Sequence, residues 1–350
     1  MAMQSIAPAG EFKTSYAADT TIFPSVNSRN ATIAGLLLTC CAPLVFSSFI
    51  LSMLIQIGYL SITALGLNIL VGFTGQISIG HAAFFGFGAF SSAYVSNVYG
   101  VPVFLAIPVA GVMTTAVGLI FGLPAARLKG LYLAIATLAA QYILQDFFAR
   151  ANWFTGGVAG TAAAPYTLFG YAFYIVLAHM VVAYILATNL IRSRDGRALV
   201  AVRDHYLSAE MMGINLTKYR TLSFGISAFF AGIGGALYAH YLQYVSVEGF
   251  TILFSIQFLG MIIIGGLGSI MGTIMGTAFM VLLPEGMEWL TSHLAGSTID
   301  QVLGLRTNIS YLREMAIGAV IIVFLIFEPD GLAHRWKQIK AYWKLYPFSH

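Results

Sequence analysis

Gln76, Ser78 and His81 stand within six residues of one another in the stretch VGFTGQISIGHAAFFGFGAF, residues 71–90. That stretch is otherwise apolar and is punctuated by Gly72, Gly75, Gly80, Gly86 and Gly88. An amide, a hydroxyl and an imidazole can hydrogen-bond a polar solute, while glycines let a helix break or two backbones approach closely. Irregular backbone in an apolar setting is tolerated only inside protein or beside a wet cavity. The residues therefore mark a candidate path for a solute, with Phe84, Phe85 and Phe87 as apolar wall. Bond-making chemistry asks for more than this. His81, His179 and His240 lie on separate segments without metal-ligand spacing, so no metal centre and no clustered catalytic set is expected. His81 reads as a buried packing or hydrogen-bonding histidine in preference to a proton carrier. No GxxxxGK[ST] phosphate loop occurs, and the adjacent Cys40 and Cys41 read as small apolar fillers.

Such a path needs an apolar body around it, and the composition supplies one. Hydrophobic residues make up 59% of the chain and charged residues 9%, with a mean hydropathy of +0.84. A soluble domain carries roughly 25% charged residues. The chain is therefore expected to be an all-α polytopic membrane protein. A net charge of +4 and a pI near 9 would suit nucleic acid, but the basic residues fall in loops between apolar runs, so nucleic acid is excluded as a partner and membrane orientation is the better reading.

A spanning helix needs roughly 20 apolar residues. Ala31 to Phe73 is too long for one and is expected to fold as two, parting near Ser47 and Ser48 or near Gln56 and Gly58. Further spans are predicted over residues 79–95, 103–125, 131–148, 169–191, 221–244, 251–264, 270–283 and 309–327, making about ten. The eighth and ninth are short enough to be re-entrant. Residues 1–30 read as a flexible cytoplasmic tail, 31–328 as the transmembrane domain with a polar loop at 192–220, and 329–350 as a cytoplasmic basic and aromatic tail suited to lipid headgroups.

Ten spans place both termini on one side. Of the 17 Lys and Arg, all but Arg150, Arg306 and Arg313 then fall on that same side, which the positive-inside rule makes cytoplasmic. A weak internal repeat is also visible. Gly75, Gly80 and Gly86 are echoed by Gly268, Gly272 and Gly276, each set following one apolar span and opening another. Paired glycine-interrupted segments are a pointer to a transporter's substrate path, although the same spacing serves plain helix packing.

Asp146, His179 and His240 fall near predicted span ends and read as interfacial or capping groups, and Glu288 as a solvated periplasmic residue. Within the 192–220 loop, Asp204 to Asn215 combines a helix-start residue, good helix formers and a Gly-then-Asn stop. One short helix along the cytoplasmic face is predicted there, suited to docking on another protein. Composition alone would grant the loop no more than a topological anchor.

Taken together, the blocks GFTGQISIGHAAFFGFGAF, AVRDHYLSAEMMGIN, KYRTLSFGISAFFAGIGGALYAHY, IIGGLGSIMGTIMG and FEPDGLAHRWKQIKAYWKLYPFSH resemble the LivM-type permeases of bacterial ABC importers for branched-chain amino acids. The resemblance covers nearly everything after about residue 31. It implies a non-catalytic inner-membrane subunit that works by alternating access. It further implies a LivH-type permease partner, two cytoplasmic subunits carrying ATP and Mg, and a periplasmic substrate-binding protein delivering leucine, isoleucine or valine. No cofactor is expected in this chain itself. The translocation path would then involve Gly75, Gln76, Ser78, Gly80, His81, Phe84, Phe85, Gly268 and Gly272. The coupling segment facing the ATPase would comprise Asp204, Ala209, Glu210, Met211, Met212 and Gly213. A permease for urea or short-chain amides is the nearest alternative. An ion-coupled carrier fits less well, because ionisable residues deep in the spans are scarce.

Overall fold

The computed structural model describes residues 26–128, 130–166, 172–293 and 309–345. Most of the predicted N-terminal tail, Lys129, the start of the sixth span, much of the 284–308 loop and the last five residues lie outside the described residues. The helices are α1 (Val26–Cys40), α2 (Ser48–Asn68), α3 (His81–Tyr99), α4 (Val103–Ala125), α5 (Leu131–Arg150), α6 (Ala172–Arg192), α7 (Arg194–Asp204), α8 (Tyr206–Met211), α9 (Leu216–Leu242), α10 (Ile252–Gly265), α11 (Ile270–His293), α12 (Ile309–Phe327) and α13 (Gly331–Leu345). Two-residue strands β1 (Thr161–Ala162) and β2 (Tyr244–Val245) pair antiparallel. The molecule is an all-α polytopic membrane protein.

Among the described residues, eight helices are long and apolar enough to cross a membrane: α2 with a π-helical extension, α4, α5, α6, α9, α10 with the turn before it, α11 and α12. α1, at 15 residues, and α3, at 19, occupy the other two predicted spans. The first two part where Ser47 turns to an extended conformation, as the serines predict. Two expectations need correction. The ninth predicted span, α11, does not stop at Leu283 but runs through Pro284 to His293; proline removes one backbone donor and commonly ends a helix, yet helix-forming residues on both sides carry this one past it. The short helix expected at Asp204–Asn215 is present as α8 but does not start at Asp204, because Asp204 closes α7 and His205 swings to φ −155° before α8 begins at Tyr206.

α9 is the axis of the bundle, packed against α2, α3 and α4. Small residues make that possible. A methyl group at Gly235 would overlap the Phe85 carbonyl, and one at Gly88 would overlap the Gly232 backbone. Helices in lipid gain little from hydrophobic exclusion, so such close van der Waals packing holds them together. Around this seam Phe85, Phe254, Phe258 and Tyr238 pack edge to face or tilted, with Phe254 and Phe258 centroids 4.7 Å apart. α12, by contrast, buries none of its residues within this chain.

The loops sort to two ends. β1 follows α5 and β2 follows α9, so their pairing places both loops at one end. There His240 is fully buried, which corrects the interfacial reading. Its Nδ1–H donates to the Ala164 carbonyl at 2.7 Å and its Nε2 accepts from the Ser92 hydroxyl at 2.7 Å. Asp146 pairs with Arg150, and Glu288 with Arg313. At the other end, Arg220 Nη1 donates to the Ala126 carbonyl at 3.3 Å and Tyr219 donates to Asp195 at 3.1 Å, joining the α4–α5 turn to the loop between α6 and α9. α13 belongs to this end too, since Gly331 and Ala333 rest against Gly266 and Gly272.

Candidate functional site

The first glycine stretch is a broken helix. α2 widens into a five-residue π-helix, Ile69–Phe73, a form found most often as a single turn at functional sites. Irregular backbone follows to Gly80, with Gly75 at φ +72°. The amides of Gly75 and Gln76 are not free, because they donate to the carbonyls of Val71 and Leu70, each at 3.1 Å. Gln76 Nε2 donates to Ser223 Oγ at 2.7 Å and to the Arg220 carbonyl at 3.3 Å, stitching the segment to the start of α9. Gln76 Oε1 and Ser78 Oγ are buried without a hydrogen-bond partner.

From Phe73 the chain doubles back into the bundle. α3 opens with His81, whose Nε2–H donates to the Thr63 carbonyl at 3.2 Å. Thr63 precedes Phe73, the end of the π-helical extension of α2, by ten residues, so at the helical rise α3 starts about 15 Å inside that end, near half the depth of a hydrocarbon core. Gln141, ten residues into α5, lies at the corresponding depth. Its Oε1 accepts from the Ala83 amide at 2.9 Å and from Ser255 Oγ at 3.1 Å, and its Nε2 donates to the Phe250 carbonyl at 2.7 Å. Ser255 Oγ in turn accepts from the Ala82 amide at 2.9 Å, and Thr137 Oγ1 accepts from the Ile79 amide at 3.0 Å. Free helix-start amides are orphan donors, and here side chains of α5 and α10 satisfy them. Replacing Ser255 by Ala leaves the Ala82 amide unpaired and should cost about 1 kcal/mol. Thermal unfolding of the detergent-solubilised chain is the measurement, with the exposed Ser292→Ala unchanged; equal midpoints would remove Ser255 from the capping role.

The second glycine stretch is a tight turn. α10 ends at Gly265, Gly266 takes φ +107° and Gly268 φ +76°, and α11 returns against α10 through Gly272 and Gly276. Asn68, fully buried at the end of α2, joins this turn to the first break. Its Oδ1 accepts from the Gly268 amide at 2.9 Å, and its Nδ2 donates to the Ser269 carbonyl at 3.0 Å and to Thr273 Oγ1 at 2.7 Å. The two stretches paired by sequence thus meet at the end of the bundle that carries the 192–220 loop.

The end of α7 rests on that junction through Arg203, and α8 follows it in the chain. Ser193 caps α7 by accepting from the Gly196 amide at 3.2 Å. α8 closes with the Gly213 amide on the Glu210 carbonyl and the Ile214 amide on the Ala209 carbonyl, which at φ +83° for Gly213 is a Schellman stop. Asn215 is not part of that stop but caps α9, accepting from the Lys218 amide at 2.9 Å. Ala209 is buried and anchors α8, whereas Asp204, Glu210 and Gly213 are exposed. Met211 and Met212 are 88% and 84% exposed, a density of bare apolar surface that the first turn of α8 extends with Leu207.

The predicted path residues divide by burial. Gln76, Ser78, Gly80, His81, Phe84 and Phe85 lie inside this chain, and Gly272 packs within the α10–α11 pair, while Gly75 is exposed and Gly268 is half-exposed at the junction. Ile77, 46% exposed between buried Gln76 and Ser78, joins Gly75 on the open side of the break. Sequence reasoning passed over Asn68, Gln141, Ser255 and Arg203. The first three carried a usable signal, polar groups inside apolar spans, which must find partners there.

A family model described as the branched-chain amino acid transport system permease component matches residues 49–325. The chain belongs to this family. The match runs from the second residue of α2 to near the end of α12 and takes in both glycine breaks and the α7–α8 segment. Relatives are similar over most of the length. The high-affinity branched-chain amino acid transport system permease protein LivM of Escherichia coli is 28% identical over 77% of this chain and 67% of its own, and that of Salmonella typhimurium stands at the same values. A probable branched-chain amino acid transport permease protein LivH of Methanocaldococcus jannaschii is 26% identical over 80% of this chain and 90% of its own. No solved structure matches. As a member of this permease family the chain is a transport subunit of the membrane.

Proposed function

We propose that the chain is one permease subunit of an ATP-driven importer and that it passes branched-chain amino acids, leucine, isoleucine and valine, across the bacterial inner membrane by alternating access. Its partners in this reading are a LivH-type permease, two cytoplasmic ATP-binding subunits that hold ATP and Mg, and a periplasmic binding protein. Both termini and the α7–α8 segment lie on the cytoplasmic side. The observation that carries the mechanism is the meeting of two glycine-broken helices against Arg203 of α7, next in the chain to α8 with its exposed Leu207 and Met211. The names of the relatives carry the substrate class.

Physically, an apolar side chain needs an apolar wall, and its ammonium and carboxylate need a few polar groups. Gly75 and Ile77 offer open surface at the first break, and Gly268 stands beside them at the second. Gln76, Ser78, Gly80, His81, Phe84 and Phe85 set the shape of that wall from within, and Gly272 lets α11 close on α10. Docking of the ATPases on Asp204, Ala209, Glu210, Met211, Met212 and Gly213 would bias a bundle with two arrangements through contacts that differ between them. Reconstituted complex should take up labelled leucine in an ATP-dependent manner and ignore urea. Uptake of urea or short amides in place of leucine would reassign the substrate, and uptake driven by an ion gradient without ATP would overturn the importer reading.

A further inference from the structure

We propose that Arg203 is a positioning residue that transmits movement of the α7–α8 segment to both glycine breaks at once, through its contacts with Gly72, Gly75 and Gly268. The inference rests on the reading that ATPases dock on that segment. In a regular helix the Gly72 carbonyl would accept from the Gln76 amide four residues on. The turn at Gly75 that closes the π-helix diverts that amide to Leu70, and Arg203 Nη1 takes its place, donating to Gly72 O at 2.7 Å. The guanidinium also borders the second break, where a Cβ on Gly268 would stand 3.3 Å from Nη1 and 3.4 Å from Gly72 O. Its stem lies against Gly75, where a Cβ would stand 3.0 Å from Arg203 Cγ. The other face of the fork is held by the helix corner itself, with Nε and Nη2 each 2.8 Å from Asp204 Oδ1.

Arg203 is the last but one residue of α7, Asp204 closes it before the swing at His205, and α8 follows at once. A displacement of α8 therefore acts on the guanidinium within two residues. The guanidinium then acts on a carbonyl that has no helical donor of its own. Asn68 holds Gly268 to the same end of α2, so the two breaks move with the arginine as a unit. A planar fork can hold the carbonyl and the carboxylate together, which a lysine point charge cannot do with the same geometry.

The test uses the full complex of both permeases, the ATPases and the loaded binding protein in proteoliposomes, comparing wild type with Arg203→Met and Arg203→Lys. The quantity read is substrate taken up per ATP hydrolysed, with subunit co-purification measured alongside. Both variants should assemble and hydrolyse ATP, while uptake per ATP falls about tenfold in the methionine variant and less in the lysine variant, within the usual range of coupling between sites. An unchanged ratio in Arg203→Met would overturn the proposal, as would failure of both variants to assemble, which would make the arginine a structural residue only. A wild-type complex that neither transports nor hydrolyses ATP would overturn the importer reading instead, and that outcome is read without any variant.

Discussion

Asn68→Leu should destabilise the chain by about 1–3 kcal/mol, chiefly because it strands the half-buried Gly268 amide, and it should cut uptake by the reconstituted complex about tenfold or more. Leucine approximates the shape of asparagine, so a cavity is not the cause. The loss comes from three bonds, to the Gly268 amide, the Ser269 carbonyl and Thr273 Oγ1. The Ser269 carbonyl keeps a second partner in Thr273 Oγ1, which leaves the Gly268 amide as the principal orphan. The Asn68 side chain is fully buried, so a leucine in its place keeps water from the side of the amide that asparagine had satisfied. The contrasting variant is Asn97→Leu, which removes an exposed bond to the Ala162 carbonyl at the opposite end and should cost less than about 1 kcal/mol. Unfolding midpoints in detergent and uptake in vesicles decide the matter. Equal stability and equal uptake for Asn68→Leu would show that the two breaks hold together without it.

The broad architecture was legible because lipid imposes simple rules. Apolar runs of spanning length marked the helices, and the basic residues sorted to the end where the α4–α5 turn, α7 and α13 are found together. The glycines of 71–90 and 265–276 announced breaks because a helix interior rarely spends so many residues without side chains. What the spacing could not give was depth. Nothing in GQISIGHAAF says that the chain doubles back and that α3 starts half-way into the bundle; that depends on Thr63, Gln141 and Ser255 arriving from three other helices. Each of these bonds joins residues 18 to 173 positions apart, and local pattern carries no register between distant helices.

The same limit explains the corner at Asp204. Asp is a good helix start, so the residue was read as opening a helix. In the fold its carboxylate is taken by Arg203, and the backbone turns only one residue later. Arg203 itself looked like one more cation of a topology-setting loop. Only the π-helix, which no residue type in ILVGF signals, gives that guanidinium a carbonyl to hold. His240 was misjudged for a related reason. Its position near a span end implied an interface, but β1 and the segment after it fold over that end and bury the ring.

Replacing Met211 and Met212 together by glutamate should leave the fold intact and abolish coupled transport. The two side chains are 88% and 84% exposed, so their loss removes almost no internal packing, and exposed substitutions usually stay within about 0.5 kcal/mol. The Schellman stop behind them is made by the backbone of Ala209, Glu210, Gly213 and Ile214, which the substitution does not touch. Their value is external. Methionine fills irregular grooves, and a buried apolar anchor at an interface contributes about 2 kcal/mol, roughly 30-fold in affinity. Two carboxylates in the same groove would add an uncompensated desolvation cost. Co-purification of the ATPases should therefore fall about 30-fold or more, with leucine uptake falling in step and the unfolding midpoint of the isolated chain unchanged. Glu210→Gln, which alters only an exposed charge beside them, should change co-purification about threefold at most, in the range of a rim charge. If the double glutamate variant binds ATPases as wild type does, α8 is not the docking element, and the junction of Asn68 and Arg203 beneath it would have to receive its signal from another surface.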